Sequence, residues 1–408
     1  LALATALLCL TLAGIASAAY EPFPLRDPSR RWSISLRVRE GYDDNINTTP
    51  TNEEGSSTTY VEPQLLVNFP QDQTFIGLRY RFGAAYYPDR SADTIDQSHT
   101  ADVLFSHTFD PRLVFNGQNE FRRGIEPELV ELQSGVPLVT RHRGDFYYNN
   151  LNGRLTYNLT PRWAAAIGGG WTYWRFDETS TGQINDRDEC RAVTALLYDW
   201  DARTTIGLNY RYARTEYAQD TFVLVPPFIL IVPAEDRSSD SHAVFGSWER
   251  RFNPQFSTRF TAGGELRQFG DGTDSTAPSA SIDVSYNYGP QSSVTGGFTY
   301  QISTTELSQF RATDSALIFG QVSHRFTAKF RATMYLSYRL TTFRDPSVTL
   351  APPVPEAEDA ISSALTLQYV ITPWCTLDGT YNFDRVDSDF TGRTFTRNRG
   401  TMGVRLTY

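Results

Sequence analysis

Arg397-Asn-Arg-Gly-Thr-Met-Gly-Val-Arg-Leu-Thr-Tyr408 is the last stretch of the chain, and the alternation within it decides the fold. Met402, Val404, Leu406 and Tyr408 stand at every second position, and Thr401, Gly403, Arg405 and Thr407 fill the positions between. Side chains of a strand point alternately to opposite faces, so the stretch predicts a strand with one apolar and one polar face. Any half-buried strand alternates in this way. The weight of the observation therefore depends on whether the rest of the chain repeats it.

The repetition is chain-wide. In 30–40, Ile34, Leu36 and Val38 alternate with Ser33, Ser35, Arg37 and Arg39, before Gly41-Tyr42-Asp43-Asp44-Asn45 opens a polar loop. Residues 59–69 return, the turn Pro70-Gln71-Asp72-Gln73 follows, and 74–87 sets Ile76, Leu78, Tyr80 and Phe82 against Arg79 and Arg81. Further strands are predicted over 99–109, 113–122, 145–159, 163–176, 187–200, 204–217, 241–252, 256–269, 279–288, 292–302, 315–326, 330–343, 360–370, 375–383 and 397–408. That makes about eighteen strands, an even number that returns both ends of a barrel to one side. Short connections strictly alternate with long acidic ones. The short ones, such as Asp110-Pro111-Arg112, Thr160-Pro161-Arg162, Asn253-Pro254-Gln255 and Thr372-Pro373-Trp374, carry turn-forming residues. Aromatics gather beside them, among them Phe69, Phe109, Trp163, Trp200, Phe252 and Trp374, and a second set, Tyr86, Trp171, Tyr173, Tyr212 and Tyr300, falls near the far ends. Amphipathic rings favour membrane interfaces, so these sets predict two girdles. The fold class expected is all-β: a transmembrane up-and-down antiparallel barrel with short periplasmic turns and long extracellular loops.

Composition agrees. Hydrophobic residues make up only 40% of the chain and mean hydropathy is −0.39, yet aromatics reach 13%. No apolar run beyond the first residues approaches the ~20 that a helical span needs. Residues 1–18 end in Ala16-Ser17-Ala18, which has the form of a signal-peptidase site, so 1–18 is expected to be an incomplete signal peptide. Residues 19–29 would be a short periplasmic segment and 30–408 the barrel. The net charge of −9 and the pI near 5.2 exclude nucleic acid as a partner. Cys190 and Cys375 fall near opposite ends of their strands, which argues against a disulfide. His99, His107, His142, His242 and His324 stand in no catalytic or metal-ligand spacing. No enzyme and no cofactor are expected, and the only metal candidates are the weak pair Asp43 and Asp44.

Function is to be sought in the lumen. If the apolar face meets lipid, the inward face carries Arg37, Arg39, Arg79, Arg81, Arg122, Arg154, Arg211, Arg259, Arg267, Arg331, Arg339, Arg399 and Arg405. Fewer acids share it: Glu62, Asp102, Glu120, Glu265, Asp283 and Asp378. One reading is structural, since buried charge needs a partner. The other is an electropositive path for an anionic solute, since a ring of fixed charge selects its opposite. The acidic loops read as a solvated face or as ligands for divalent cations bridging to lipopolysaccharide. Three connections hold apolar Pro-containing segments, 129–139, 221–233 and 348–355. They are read either as hairpins that extend strands above the membrane, with Pro226-Pro227 at one tip, and pack on one another, or as a lid over the pore.

The terminal strand resembles that of outer-membrane β-barrel proteins, in which an aromatic-ended strand closes the barrel and is read by the assembly machinery. The resemblance assigns that signal to Met402, Val404, Leu406 and Tyr408, with Tyr where the family prefers Phe. The layout as a whole resembles a family of β-barrel porins encoded with exopolysaccharide export machinery. It does so through the first strand running into Gly41-Tyr42-Asp43-Asp44-Asn45, the repeated Pro turns and the terminal strand. The resemblance implies a passive outer-membrane conduit for a polar anionic polymer. Its partners would be membrane lipid and lipopolysaccharide, the barrel assembly machinery and periplasmic polysaccharide export proteins. A small-solute porin and a structural or adhesive barrel plugged by paired side chains are the alternatives. A conduit predicts a continuous lumen, and a scaffold predicts Arg–acid ladders filling it.

Overall fold

The computed structural model describes residues 31–90, 93–125, 144–177, 184–225, 228–347 and 357–408. The expected signal peptide, the 19–29 segment, the apolar stretches 129–139 and 348–355 and the Pro226-Pro227 tip lie outside them. The chain forms β1 (Trp32–Asp43), β2 (Ser56–Pro70), β3 (Thr74–Tyr86), β4 (Ile95–Asp110), β5 (Leu113–Gly124), β6 (Phe146–Asn158), β7 (Trp163–Phe176), β8 (Arg187–Asp201) and β9 (Thr204–Tyr217). A small excursion follows, β10 (Thr221–Val225), β11 (Phe228–Val232) and the short helix α1 (Ala234–Arg237). The series resumes with β12 (Ser239–Arg251), β13 (Phe256–Phe269), β14 (Asp274–Gly289), β15 (Ser292–Ser303), β16 (Phe310–Arg325), β17 (Phe330–Pro346), β18 (Ala357–Thr372), β19 (Cys375–Ser388) and β20 (Phe395–Thr407).

All strands but β10 and β11 belong to one 18-stranded antiparallel sheet, and pairing of β1 with β20 closes it into a barrel. At the seam Leu36 stands opposite Leu406 and Val38 opposite Val404. The Ile34 amide donates to the Tyr408 carbonyl at 3.1 Å and the Tyr408 amide to the Ile34 carbonyl at 2.8 Å. Closure leaves no unpaired edge, which a sheet needs in lipid, where no water can satisfy the backbone.

Alternation sets the two faces as expected. On β1, Ile34, Leu36 and Val38 are exposed while Ser33 and Ser35 are buried. On β20 Met402, Val404 and Leu406 are exposed, Met402 at 75%, and so is Tyr408 just beyond it. Exposed apolar side chains on every second position form the lipid-facing band. Phe69, Phe109, Trp163, Trp200, Phe252, Phe326 and Trp374 are exposed at the ends bearing the short turns. Four of the histidines join the outward face through cross-strand hydroxyls: His99 with Tyr80 at 2.8 Å, His107 with Thr74 at 2.8 Å, His242 with Tyr210 at 2.7 Å and His324 with Tyr288 at 2.8 Å. They are interface residues, not a cluster.

Three expectations are corrected. β1 runs through Gly41 and Tyr42 to Asp43 instead of opening a loop at Gly41, because β2 and β20 both pair with it that far. Long and short connections do not alternate strictly: 270–273 between β13 and β14 is as short as the turns at the other end, with Gly272 at φ +83° completing it. The 221–232 segment is a hairpin, as one reading held, but it extends no barrel strand and forms its own two-stranded sheet. Thr221 and Val232 are buried, and Phe222 and Ile231 stay exposed.

Candidate functional site

The inward face is the site, and its geometry follows from register. All the lumen candidates named from the sequence share the face opposite the apolar band. Arg37 faces Glu62 on one side and Arg405 on the other, Arg79 faces Asp102, Asp102 faces Glu120, and Arg259 lies between Glu249 and Asp283. Arg39, Arg81, Arg122, Arg154, Arg211, Arg267, Arg331, Arg339 and Arg399 occupy the same face by their pairings.

Most of these arginines are paired. Arg39 reaches Glu62 at 2.8 Å, Arg79 reaches Asp102 at 2.5 Å, and Arg122 binds Asp102 at 3.1 Å and Glu120 at 2.7 Å. Arg211 and Arg267 share Glu265 at 2.7 and 3.0 Å, Arg259 binds Glu249 at 2.9 Å, and Arg399 binds Asp384 at 3.0 Å. Arg37 pairs with Asp378 across β20, where Gly403 clears the way: a Cβ there would collide with the Val38 carbonyl and the Arg39 side chain. Each of these pairs joins residues of one strand, of neighbouring strands or of strands one removed. They run along the wall and do not span the lumen, and an 18-stranded barrel is wide enough to leave an aqueous channel inside such a lining.

The wall is uneven around its circumference. Charged ladders line the arc from β19 through β1 to β5 and again β9, β12 and β13. From β13 to β19 the inward face is rich in hydroxyls bonded to one another, as in Thr261–Ser281 at 2.8 Å, Ser323–Thr333 at 3.2 Å and Thr366–Thr380 at 3.3 Å. In that arc Arg331 donates to Ser323 at 2.8 Å and Arg339 to Ser315 at 3.3 Å.

On β6 to β8 two arginines lack a carboxylate. Arg154 makes no hydrogen bond or ion pair among the described residues. The Arg191 Nη2 meets only neutral acceptors, Asn150 Oδ1, Asn152 Oδ1 and Thr172 Oγ1, each at 3.4 Å.

The weak metal candidates have other work. Asp43, 5% exposed, accepts from Arg397 Nη2 at 2.6 Å and from the Asn45 amide at 3.1 Å. Asp44 accepts from the Asn398 amide and side chain, both at 2.7 Å. Both carboxylates tie the outer end of β1 to β20. Among the described residues no group of three or more ligating side chains stands together.

Sequence reasoning missed Arg187, Arg191, Glu249, Asp384 and Arg397. On β8 the inward Val193, Ala195 and Leu197 are as apolar as the outward Ala192, Thr194 and Leu196, so no contrast assigns a face to Arg191. For Asp384 the missing information was how far β19 extends outward, and for Arg397, inside the predicted 397–408 strand, it was that its partner Asp43 belongs to β1 and not to a loop.

Residues 235–408, somewhat under half of the chain, match the family model described as "Putative beta-barrel porin 2". The resemblance to β-barrel porins read from the sequence is thus carried by β12 to β20. A search of curated proteins finds no match. Among solved structures the chain is similar to Pseudomonas aeruginosa OccK2 (OpdF), at 13% identity and a TM-score of 0.47 over 92% of this chain and 98% of that one. It is also similar to Pseudomonas aeruginosa OpdL, at 11% identity and 0.45 over 93% and 98%, and to Acinetobacter baumannii OccAB4, at 12% and 0.45 over 94% and 100%. Each is a likeness of fold.

Proposed function

We propose that this barrel is a passive outer-membrane channel for a polar, anionic oligomer or polymer, with exopolysaccharide as the class. The observation that carries the reading is that the strand-borne ion pairs described above run along the wall while Arg154 and Arg191 remain without a carboxylate. A scaffold plugged by its own side chains would need ladders crossing the lumen, and the pairs described above do not cross it. Unneutralised arginines in a path with low-dielectric walls focus a positive potential, although the whole chain carries −9. Loop carboxylates stand in open water, where salt screens them beyond ~10 Å.

In this reading the chain reaches the outer membrane after signal-peptide cleavage. The assembly machinery inserts it through the Tyr408 strand, and its short turns meet periplasmic polysaccharide export proteins. The outer loops meet lipopolysaccharide. No catalytic step, cofactor or metal is required.

The test is a reversal potential in a planar bilayer under a salt gradient. The native barrel should prefer anions, and Arg154→Gln with Arg331→Gln should weaken that preference. Cation preference, or no conductance, would remove the channel reading and return weight to the scaffold.

A further inference from the structure

The unpaired arginines flank a recess in the lumen wall. Its floor is β7, whose inward positions from Ala164 to Gly170 hold nothing larger than a methyl group: Ala164, Ala166, Gly168 and Gly170. Asn152 stands opposite Gly170 on β6, and Arg191 stands opposite it on β8. Arg154 and Val193 hold the same relation to Gly168. Neighbouring strands lie ~4.8 Å apart, so the flanking backbones of β6 and β8 are separated by about 10 Å.

The glycines are needed for this shape. A Cβ at Gly170 would collide with Asn152 Oδ1, and one at Gly168 would stand 3.0 Å from the Gly153 carbonyl. Because Gly170 is bare, Arg191 reaches over β7 to Asn150 and Asn152 on β6.

The chemistry around the recess is specific. Arg191 is held by three long contacts to neutral oxygens, and its Nε has no acceptor. A buried donor without an acceptor is unfavourable, so the guanidinium is poised for a better acceptor. Its planar fork matches a carboxylate in bidentate fashion, and Arg154 supplies a second positive charge. Asn150, Asn152 and Thr172 offer both donors and acceptors, the complement of hydroxyl groups. Glu189, the nearest acid on β8, is already bound to Arg187 at 2.8 Å.

We infer that this glycine-floored recess between Arg154 and Arg191 is a binding subsite for an acidic sugar unit, its carboxylate on the arginines and its hydroxyls on the carboxamides. The inference rests on the channel reading in that the ligand arrives through the lumen. It adds a fixed stopping point that a uniformly charged pore would lack.

The full barrel is tested with glucuronate as the probe, beside acetate, glucose and inorganic phosphate. In a planar bilayer, glucuronate should block the chloride current in a concentration-dependent way, and acetate and glucose should not. Arg191→Gln should weaken the block about tenfold or more, as expected for loss of a charge-assisted bidentate contact. Gly170→Ala should weaken it by displacing Asn152. Heat-modifiable mobility establishes that each variant is folded. Trp171 and Trp174, on the same strand, give a fluorescence titration that needs no conductance. Glucuronate binding lost in Arg191→Gln, in a barrel that passes no current, would keep the subsite and remove the channel reading. An anion-selective pore that treats glucuronate and acetate alike would overturn the subsite and leave the channel. Equal or stronger block by phosphate, or a block indifferent to Arg191→Gln, would also overturn it.

Discussion

Asp378 is 2% exposed and accepts from Arg37 across the bare β20 backbone at Gly403. Removing one partner of a buried pair leaves the other charge uncompensated, which costs more than the pair contributes. Asp378→Asn should therefore destabilise the folded barrel by about 3 kcal/mol, and Arg37→Gln in the same chain should recover part of that loss. Urea unfolding in lipid vesicles measures both, and equal stability of Asp378→Asn and wild type would place the pair in open water. Outside the membrane band, Asp186 precedes β8 and is 5% exposed. Burial pushes its carboxyl above the usual range, against the pull of the Phe176 amide, which donates to it at 2.8 Å. A raised acid favours its protonated form in the fold, so its contribution is most favourable at low pH and is lost as pH rises through the folded value. Relative to Asp186→Asn, the wild type should gain in urea midpoint as pH falls from 7 towards 4. A difference independent of pH would mean that the carboxyl is solvated. At this scale the sequence shows which face a charge occupies wherever its neighbours alternate, as around Arg79. It does not show partners, because a pair such as Arg37–Asp378 depends on the register of three strands.

Strands were legible from their alternation and blurred at their outer ends. The strand predicted from 279 begins at Asp274, ahead of Pro278. Pro278 is tolerated because only β13 pairs there: the ladder to β15 begins at Ala280 opposite Tyr300. Pro63 sits within β2 for a similar reason, at a gap in the ladder to β3 between Val61–Ala84 and Gln64–Arg81. The hairpin of β10 and β11 was legible as apolar sequence around Pro226-Pro227, but its separation from the barrel was not, since nothing local distinguishes an extension from an independent sheet. The terminal strand offers the clearest test at this scale. Val404 lies outward between Val38 and Leu377 on the neighbouring strands, within the apolar band. Val404→Arg places a charge in lipid and should cost about 2 kcal/mol, the effect falling towards the rim at Leu406. Deleting Tyr408 should reduce the amount of folded barrel through the seam, since its amide and carbonyl both bond Ile34 and its ring lies 5.6 Å from Trp32. Unchanged heat-modifiable mobility and abundance in Val404→Arg would mean that the faces are assigned the wrong way round.

For the molecule as a whole, the asymmetry of the two barrel ends predicts an orientation. One end carries connections such as 111–112, 202–203 and 373–374, the first two held by local side-chain caps: Asp110 accepts from the Arg112 amide at 2.6 Å, and Asp201 from the Arg203 amide at 2.7 Å. The other end carries 44–55, 125–145 and the β10–β11 hairpin, with the single short exception of 270–273. A barrel inserted from the periplasm must pass one end through the bilayer, and in known barrels the long connections lie outside. The prediction is that Glu53 faces the exterior and Gln255 the periplasm. Both are exposed, so access depends on the membrane alone. Cys190 is itself exposed, and Cys375 is partly so, which would confuse labelling. The experiment therefore starts from a chain with Cys190→Ser and Cys375→Ser, into which Glu53→Cys or Gln255→Cys is placed. An impermeant thiol reagent on intact cells should label the first and not the second, and both should react once the outer membrane is opened. Labelling of Gln255→Cys alone would invert the barrel. It would also put the apolar hairpin in the periplasm, where it could meet the export partners that the present orientation assigns to the short turns.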